Sequence, residues 1–145
     1  MWRLSGKQKI FEYIDHPADI MLRVYGETLS SLFINAAKGL YDVLKPRTKS
    51  GGSENRKTGV LKSSSKEELL VLFLNEILFL AIKDHLIFTD FLINIKCSRN
   101  QNRLKYNMTG KEIEMLEREV KAVTYHRLKI EKIGKFFQTE IIVDI

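Results

Sequence analysis

A chain of 145 residues with a formal net charge of +6 has the size of one ordinary domain, and a domain of this size buries about two-thirds of the surface that its unfolded form exposes. Its single Cys97 excludes an internal disulfide, and its longest apolar run, which Asn75 and Glu76 interrupt, falls short of the roughly 20 residues of a membrane span. We therefore expect one domain over residues 1–145, cytoplasmic, away from membranes and without a signal peptide.

The first predicted elements are two short strands that flank a tight loop. Phe11–Asp15 and Ile20–Tyr25 are rich in β-branched and aromatic residues, which favour strands. His16-Pro17-Ala18-Asp19 lies between them, and Pro17 restricts the shape of this loop.

Two helices are predicted next. Thr28 is typical of a helix cap, and the apolar residues from Leu29 to Leu44 recur at steps of three and four. A second helix opens with the capping-box pattern Ser65-Lys66-Glu67-Glu68 and is apolar on nearly every face as far as Ile82. We expect this second helix to lie at the centre of the core.

The segment between the two helices, residues 45–66, carries the excess positive charge. It contains seven basic side chains and one acidic side chain, so it accounts for the whole net charge of +6. Pro46 and Ser50-Gly51-Gly52-Ser53 favour a flexible, solvated loop. Such a basic loop is either a mobile connector or a nonspecific contact for phosphates.

The second half of the chain has the two-residue alternation of β-strands. The predicted strands and their turns are Phe91–Ser98, a turn at 100–102, Arg103–Thr109, a long strand Lys121–Lys132, a turn at Gly134 and a last strand Phe136–Val143. With two helices among these strands and no Gly-rich strand-to-helix turn, we predict a single compact α+β domain. Its two main helices are expected to pack on a mostly antiparallel sheet.

Three carboxylates stand out by position. They are Asp19 in the first loop, Asp144 near the end of the last strand, and the α-carboxylate of Ile145. If the last strand lies beside the first loop, these groups converge, and their repulsion favours a bound cation or protonation. Oxygen ligands suit a hard divalent ion, and calcium tolerates irregular oxygen shells better than magnesium does. The alternative is that these carboxylates are simply solvated.

Two histidines invite a metal or proton-transfer role, since histidine titrates near neutral pH. His16 lies beside Pro17, where it is equally suited to hold its loop through backbone contacts. By strand alternation, His126 shares a face with Ala122, Leu128 and Ile130, which favours a half-buried, hydrogen-bonded histidine.

The opposite face of the same predicted strand is rich in cations. Its residues are Lys121, Val123, Tyr125, Arg127 and Lys129. Cations interleaved with an aromatic ring suit RNA phosphates and bases, although an ordinary solvated sheet face has the same pattern.

No stronger chemical signature accompanies these residues. The sequence lacks a phosphate-binding Gly-rich loop, the Cys and His spacing of a zinc site and a Gly-x-Ser-x-Gly elbow. We therefore expect that the protein is not an enzyme.

Several ordered segments together resemble the archease family across nearly the whole chain. They are Tyr13–Ile20, Tyr25–Leu29, Leu69–Val71, Leu74–Leu78, Val120–Glu131 and Val143–Ile145. The chain departs from the family's pattern at Pro17, where members usually have Thr, and in the basic segment 45–66. Pro17 lacks the hydroxyl and the N–H of Thr, but a carboxylate ligand needs neither.

The resemblance implies a partner protein for an RtcB-type RNA ligase, which joins RNA ends in tRNA splicing and RNA repair. The partner promotes guanylylation of the ligase and its multiple turnover, while the ligase itself holds the nucleotide. The resemblance therefore implies that the partner acts on tRNA or other RNA only indirectly, through the ligase. Metal ligands carried over from the family are Asp19, Asp144 and Ile145, with Ca²⁺ as the expected ion. Residues expected to contact the partner or RNA are His16, Lys121, Tyr125, His126 and Lys129.

Two other functions are kept beside the ligase activator. One is a chaperone-like modulator of a tRNA-modifying enzyme, such as a tRNA cytosine methyltransferase. The other is a small metal-dependent phosphoesterase, which the lack of a positioned base or nucleophile disfavours.

Overall fold

The computed structural model describes residues 3–4, 8–15, 19–125 and 127–145. In chain order the elements are β1 (Arg3–Leu4), β2 (Gln8–Lys9), β3 (Phe11–Ile14), β4 (Ile20–Gly26), α1 (Leu29–Leu44), β5 (Pro46–Thr48), β6 (Glu54–Ser63), α2 (Lys66–Lys83), β7 (Leu86–Cys97), β8 (Asn102–Leu116), β9 (Ala122–Thr124), β10 (Glu131–Ile133) and β11 (Phe136–Asp144). These elements form the predicted α+β fold. Within the described ranges, no helix is long and apolar enough to cross a membrane.

The strands form two main antiparallel sheets, where we expected one. In the first, called the terminal sheet, β11 lies between β4 and the two short strands β9 and β10, and β3 pairs with the other edge of β4. In the second, called the hairpin sheet, the long β8 lies between β6 and β7, and β5 pairs with its end. A small β1–β2 pair is separate from both.

Helix α1 packs on the terminal sheet through the face that its sequence period predicts. Thr28 caps the helix, because its Oγ1 accepts a hydrogen bond from the Ser31 N–H at 3.0 Å. Ser31 Oγ in turn accepts from the Thr28 N–H at 2.9 Å, so the two residues form a reciprocal capping box. Leu32, Phe33 and Leu40 on this helix are fully buried.

Helix α2 lies in the core, as predicted. Ser65 Oγ accepts from the Glu68 N–H at 3.1 Å, but the Glu68 carboxylate accepts from Ser64 Oγ at 2.9 Å, so only half of the predicted capping box forms. The helix packs against β6, β7, β8 and β9. It also meets α1, where the rings of Phe33 and Phe73 lie 5.9 Å apart. The helices thus join the two sheets into one hydrophobic core.

The prediction of a flexible loop over residues 45–66 was wrong. Strand β6 (Glu54–Ser63) pairs with β8 along ten register positions, β5 (Pro46–Thr48) pairs with the end of β8, and only residues 49–53 between them lack strand structure. The ladder satisfies the backbone hydrogen-bonding groups along this side of β8. Strand β6 has no apolar alternation, so its sequence showed no sign of this pairing. Lys and Arg side chains suit β6 because it is an edge strand, where charges oppose pairing with other chains.

The predicted strand Lys121–Lys132 is interrupted. Strands β9 and β10 pair with opposite ends of β11, and a turn separates them, in which the Leu128 N–H donates to the Tyr125 carbonyl at 3.1 Å. Arg127 has a φ of 56°, outside the strand region. Val123 before the turn and Leu128 after it are both buried, so the alternation does not continue through the turn. The predicted place of Val123 on the cation-rich face was therefore wrong.

Candidate metal site beside the last strand

The end of the last strand lies beside the start of β4, the strand that directly follows Asp19. Val143 pairs with Ile20 as the last pair of the β4–β11 ladder, so Asp19 and Asp144 are each the next residue beyond this pair. Asp144 ends β11, and Asp19 lies just outside β4. Asp19 comes three residues before the buried Leu22, and Asp144 directly follows the buried Val143. Because side chains alternate between the two faces of a strand, both aspartates belong to the outer face of the terminal sheet, where both are half-buried.

Strand β9 and helix α2 hold the end of β11 in place. The Lys121 N–H donates to the Asp144 carbonyl at 2.8 Å, and Val123 pairs with Val143. Asn75 of α2 forms two hydrogen bonds with the backbone of Val123, and we call this pair the Asn75 clamp. Its Nδ2 donates to the Val123 carbonyl and its Oδ1 accepts from the Val123 N–H, both at 3.0 Å. The position of Asp144 therefore depends on a chain of contacts that reaches the core helix.

The side-chain donors that the described residues offer at this place are oxygen atoms. Within the described ranges, neither Asp19 nor Asp144 takes part in an ion pair or a side-chain hydrogen bond. No described group of three or more His, Cys, Asp and Glu side chains has metal-binding geometry, so a site here needs a further oxygen group. The predicted group is the carboxylate of Ile145, which is 44% exposed. These donors fit a hard divalent cation such as Ca²⁺.

Elsewhere on the same outer face, charges of opposite sign are paired. Arg23 lies between Glu12 of β3 and Glu140 of β11 in one register row. Its guanidinium donates to Glu140 Oε2 from Nε at 3.0 Å and from Nη2 at 2.7 Å, and Nη1 lies 3.7 Å from Glu12 Oε1. The hydrogen bonds to Glu140 raise the pKa of Arg23. The pair of aspartates thus differs from its neighbours, which already have a cation from the chain itself.

The comparison with known proteins decides the family. The family model described as the Archease protein family (MTH1598/TM1083) matches residues 11–145. The chain belongs to the archease family. It is 34% identical to the protein archease of Methanosarcina barkeri over 147 aligned residues, which cover 98% of this chain and 100% of the relative. It is 38% identical to the protein archease of Thermococcus kodakarensis over 127 residues, which cover 85% of this chain and 89% of the relative.

Solved structures agree with the archease fold. The solution structure of Methanobacterium thermoautotrophicum protein 1598 is similar with a TM-score of 0.75 at 27% identity, covering 94% of this chain and 99% of that one. A crystal structure from Thermotoga maritima, described as an archease and possible chaperone, is similar with a TM-score of 0.64 at 26% identity, covering 91% and 94% of the two chains. The fold prediction is therefore confirmed.

Of the contact residues predicted for this archease-family chain, the structure describes Lys121, Tyr125 and Lys129. Lys121 precedes β9 and is exposed beside Asp144. Tyr125 is 51% exposed and lines a groove of about 500 Å³ with Leu72 and the start of α2. Lys129 is exposed, and its carbonyl accepts from Thr139 Oγ1 at 2.8 Å. The predicted residues His16 and His126, like Pro17, lie outside the described residues.

Sequence reasoning missed the polar contacts that connect α2 to its neighbours. Besides Asn75, Glu76 accepts a hydrogen bond from the Tyr106 hydroxyl of β8 at 3.0 Å. Burial, together with the charge and hydrogen bond of Glu76, raises the pKa of Tyr106 from 10.0 to about 12. Gly59, opposite Tyr106 in β6, leaves room for this ring, because a Cβ there would overlap the hydroxyl. The signal available in the sequence was Asn75-Glu76 itself, two polar residues inside an apolar helix.

Proposed function

We propose that this archease-family chain is a non-catalytic activator of an RtcB-type RNA ligase in tRNA splicing and RNA repair. The observation that carries the proposal is the position of Asp19 and Asp144, each next to the last pair of the β4–β11 ladder, in a chain whose residues 11–145 match the archease family. Two carboxylates without a cation from the chain favour a bound metal ion, and their outer-face position leaves such an ion accessible to a partner.

In this proposal, Asp19, Asp144 and the carboxylate of Ile145 hold a divalent cation, with Ca²⁺ as the expected ion. A bound cation supplies positive charge that neutralises phosphate oxygens. The chain contributes orientation: the Lys121 N–H fixes the backbone of Asp144 at 2.8 Å, and Asn75 fixes the strand that carries this contact. The exposed Lys121 side chain, next to the aspartates, suits the phosphates of a nucleotide or RNA end held by the ligase.

The direct test is multiple-turnover joining of an RNA with a 2′,3′-cyclic phosphate by the matching RtcB-type ligase. The protein is compared with its Asp19→Asn and Asp144→Asn variants, and guanylylation of the ligase is followed in the same reactions. Asp90→Asn is the matched control, since Asp90 is an exposed aspartate on the hairpin sheet. We expect stimulation by the unchanged protein and by the control, and its loss in the other two variants.

Metal binding is measured separately by calorimetric titration with CaCl₂ and with MgCl₂. We expect Asp19→Asn and Asp144→Asn to weaken Ca²⁺ binding by at least about tenfold, since each removes a charged oxygen ligand. Unchanged binding in both variants contradicts the metal site. Retained stimulation by both variants contradicts the role of the site in activation, and no stimulation by the unchanged protein contradicts the activator itself.

A second candidate function is a chaperone-like modulator of a tRNA-modifying enzyme, such as a tRNA cytosine methyltransferase. The similarity to the Thermotoga maritima structure described as a possible chaperone favours it. This function predicts that the protein forms a stable complex with the methyltransferase and reduces aggregation of that enzyme on heating. The Asp19→Asn variant should do both as well as the unchanged protein does. Co-elution in gel filtration and light scattering distinguish it from ligase activation.

A further inference from the structure

The outer face of the hairpin sheet carries a row of three cations. Arg103 of β8 pairs with Lys62 of β6 on one side and with Lys96 of β7 on the other. Opposed residues have Cβ atoms about 4.5–5.5 Å apart, and like charges in such positions destabilise a sheet. Lys105 lies on the same face, two residues further along β8. The fold thus brings together four positive charges at an electrostatic cost.

These cations have no partners of opposite sign in the described part of the chain. Lys62, Lys96, Arg103 and Lys105 form none of its ion pairs, and all four are exposed. On the terminal sheet, by contrast, the row containing Arg23 alternates in sign and is paired. Unpaired like charges in register favour an anion with several negative groups at fixed spacing, because such a ligand relieves the repulsion of the whole row.

An open groove of about 710 Å³ continues from the cation row along the same sheet. Asn94 and Asn107 line it with side-chain amides, each of which carries an acceptor and two donor hydrogens. The Asn107 oxygen accepts a hydrogen bond from Arg56 Nε at 3.0 Å. Leu92, 70% exposed, and Val60, 43% exposed, give the groove apolar surface as well. The face therefore combines charge for a polyanion with amide and apolar groups beside it.

We propose that this face binds RNA directly, with backbone phosphates over the row Lys62, Arg103 and Lys96 and with bases or riboses in the groove at Leu92. Proteins hold single strands with a positively charged groove along the backbone and with side chains against which bases stack. Here Leu92 and Val60 offer that second surface in place of aromatic rings. An acidic protein segment matches the cations, but charge alone does not account for the exposed Leu92 and the Asn94 amide beside them. The site lies on a different sheet from Asp19 and Asp144, and it goes beyond ligase activation because it needs no ligase.

The test is fluorescence anisotropy of the protein alone with a labelled single-stranded RNA of about 12 nucleotides, a length within the range that one binding face covers. The variant replaces the three residues of the row, Lys62→Gln, Lys96→Gln and Arg103→Gln. The matched control makes the same change of net charge elsewhere, Lys38→Gln, Lys83→Gln and Lys135→Gln. Urea unfolding of both variants checks the fold, and removal of the like-charge row is expected to leave the midpoint unchanged or raise it.

We expect the row variant to bind RNA at least tenfold more weakly than the control. Loss of three phosphate contacts reduces the steepness of log affinity against log salt concentration by about 2. Between about 50 and about 200 mM salt, the affinity of the unchanged protein should therefore fall about 16-fold more than the affinity of the variant. Leu92→Ser is expected to weaken binding without changing this slope.

Three results would overturn the proposal. One is that RNA does not bind to the unchanged protein. Another is that both triple variants lose affinity equally, which assigns the effect to net charge. The third is that a labelled poly-glutamate peptide binds as tightly as RNA and competes for the same row, which assigns the face to acidic proteins. Because no ligase is present, none of these outcomes depends on the activator function.

Discussion

Asn75→Ala tests how the core helix holds the candidate metal site. The substitution removes two hydrogen bonds of 3.0 Å to the backbone of Val123, a residue that is 3% exposed. Each buried backbone group left without a partner costs about 1–3 kcal/mol, and alanine returns up to about 0.7 kcal/mol as the better helix former. We therefore expect the free energy of unfolding to fall by about 2–3 kcal/mol.

Urea unfolding followed by circular dichroism measures this change. With a dependence of about 2 kcal/mol per molar urea, the midpoint is expected to fall by about 1 M. Hydrogen exchange adds the local result: the amides of Lys121 and Val123 should exchange about 30- to 150-fold faster, because they open with β9. Asn75→Asp keeps the acceptor for the Val123 N–H but sets a carboxylate oxygen against the Val123 carbonyl, so it should destabilise the protein at least as much as Asn75→Ala.

Asn94→Ala is the matched control, because Asn94 is an exposed asparagine on β7. It is expected to change the midpoint only slightly, as surface substitutions usually alter stability by about 0.5 kcal/mol or less. The reasoning is refuted if Asn75→Ala shifts the midpoint no more than this control does, or if β9 keeps its protection while the rest of the protein is destabilised. In either case, Asp144 is held by contacts other than the Asn75 clamp.

Three further predictions concern other contacts. Thr28→Ala should destabilise the protein by about 1 kcal/mol in urea unfolding, because it removes the cap of α1, whereas Thr28→Asn should restore most of this loss. Since burial raises the pKa of Tyr106 to about 12, its contribution to stability is complete below pH 10 and is lost as the pH rises toward about 12; urea midpoints should show a smaller alkaline loss in Tyr106→Phe than in the unchanged protein. Ca²⁺ at about 100 times its dissociation constant should stabilise the protein by about 2.7 kcal/mol, measured as a higher melting temperature. EDTA should abolish this gain, and Asp144→Asn should reduce it to about 1.4 kcal/mol or less.

Local patterns predicted much of the fold. Both helices begin at the residues that their caps indicate, and the hairpin of β7 and β8 turns where the polar run near Asn100 interrupts the alternation. The two-residue turn at Gly134 was equally visible, since Gly accommodates its φ of 62° without strain. These features depend on residues a few positions apart, and the sequence displays such neighbours directly.

Two of the incorrect predictions, the loop over residues 45–66 and the single strand Lys121–Lys132, have a common origin. Strand β6 lacks an apolar alternation, so its composition resembles a loop, but ten register positions with β8 hold it in the sheet. The alternation of residues 121–132 resembles one strand, but contacts from outside divide it: Ile130 N–H donates to Glu67 Oε2 at 3.0 Å, and Thr139 Oγ1 binds the Lys129 carbonyl. In both cases a distant partner outweighs the local propensity.

The candidate sites divide in the same way. The sequence by itself singled out Asp19 and Asp144 as unusual carboxylates and located an excess of basic residues before α2. Only the tertiary structure placed the end of β11, which carries Asp144, beside the start of β4, which follows Asp19. Only the strand register aligned Lys62, Arg103 and Lys96 in one row. The physical reason is that composition and period are properties of neighbouring residues. The energy of interacting charges depends instead on distances between strands, which the ladder hydrogen bonds of separate segments determine.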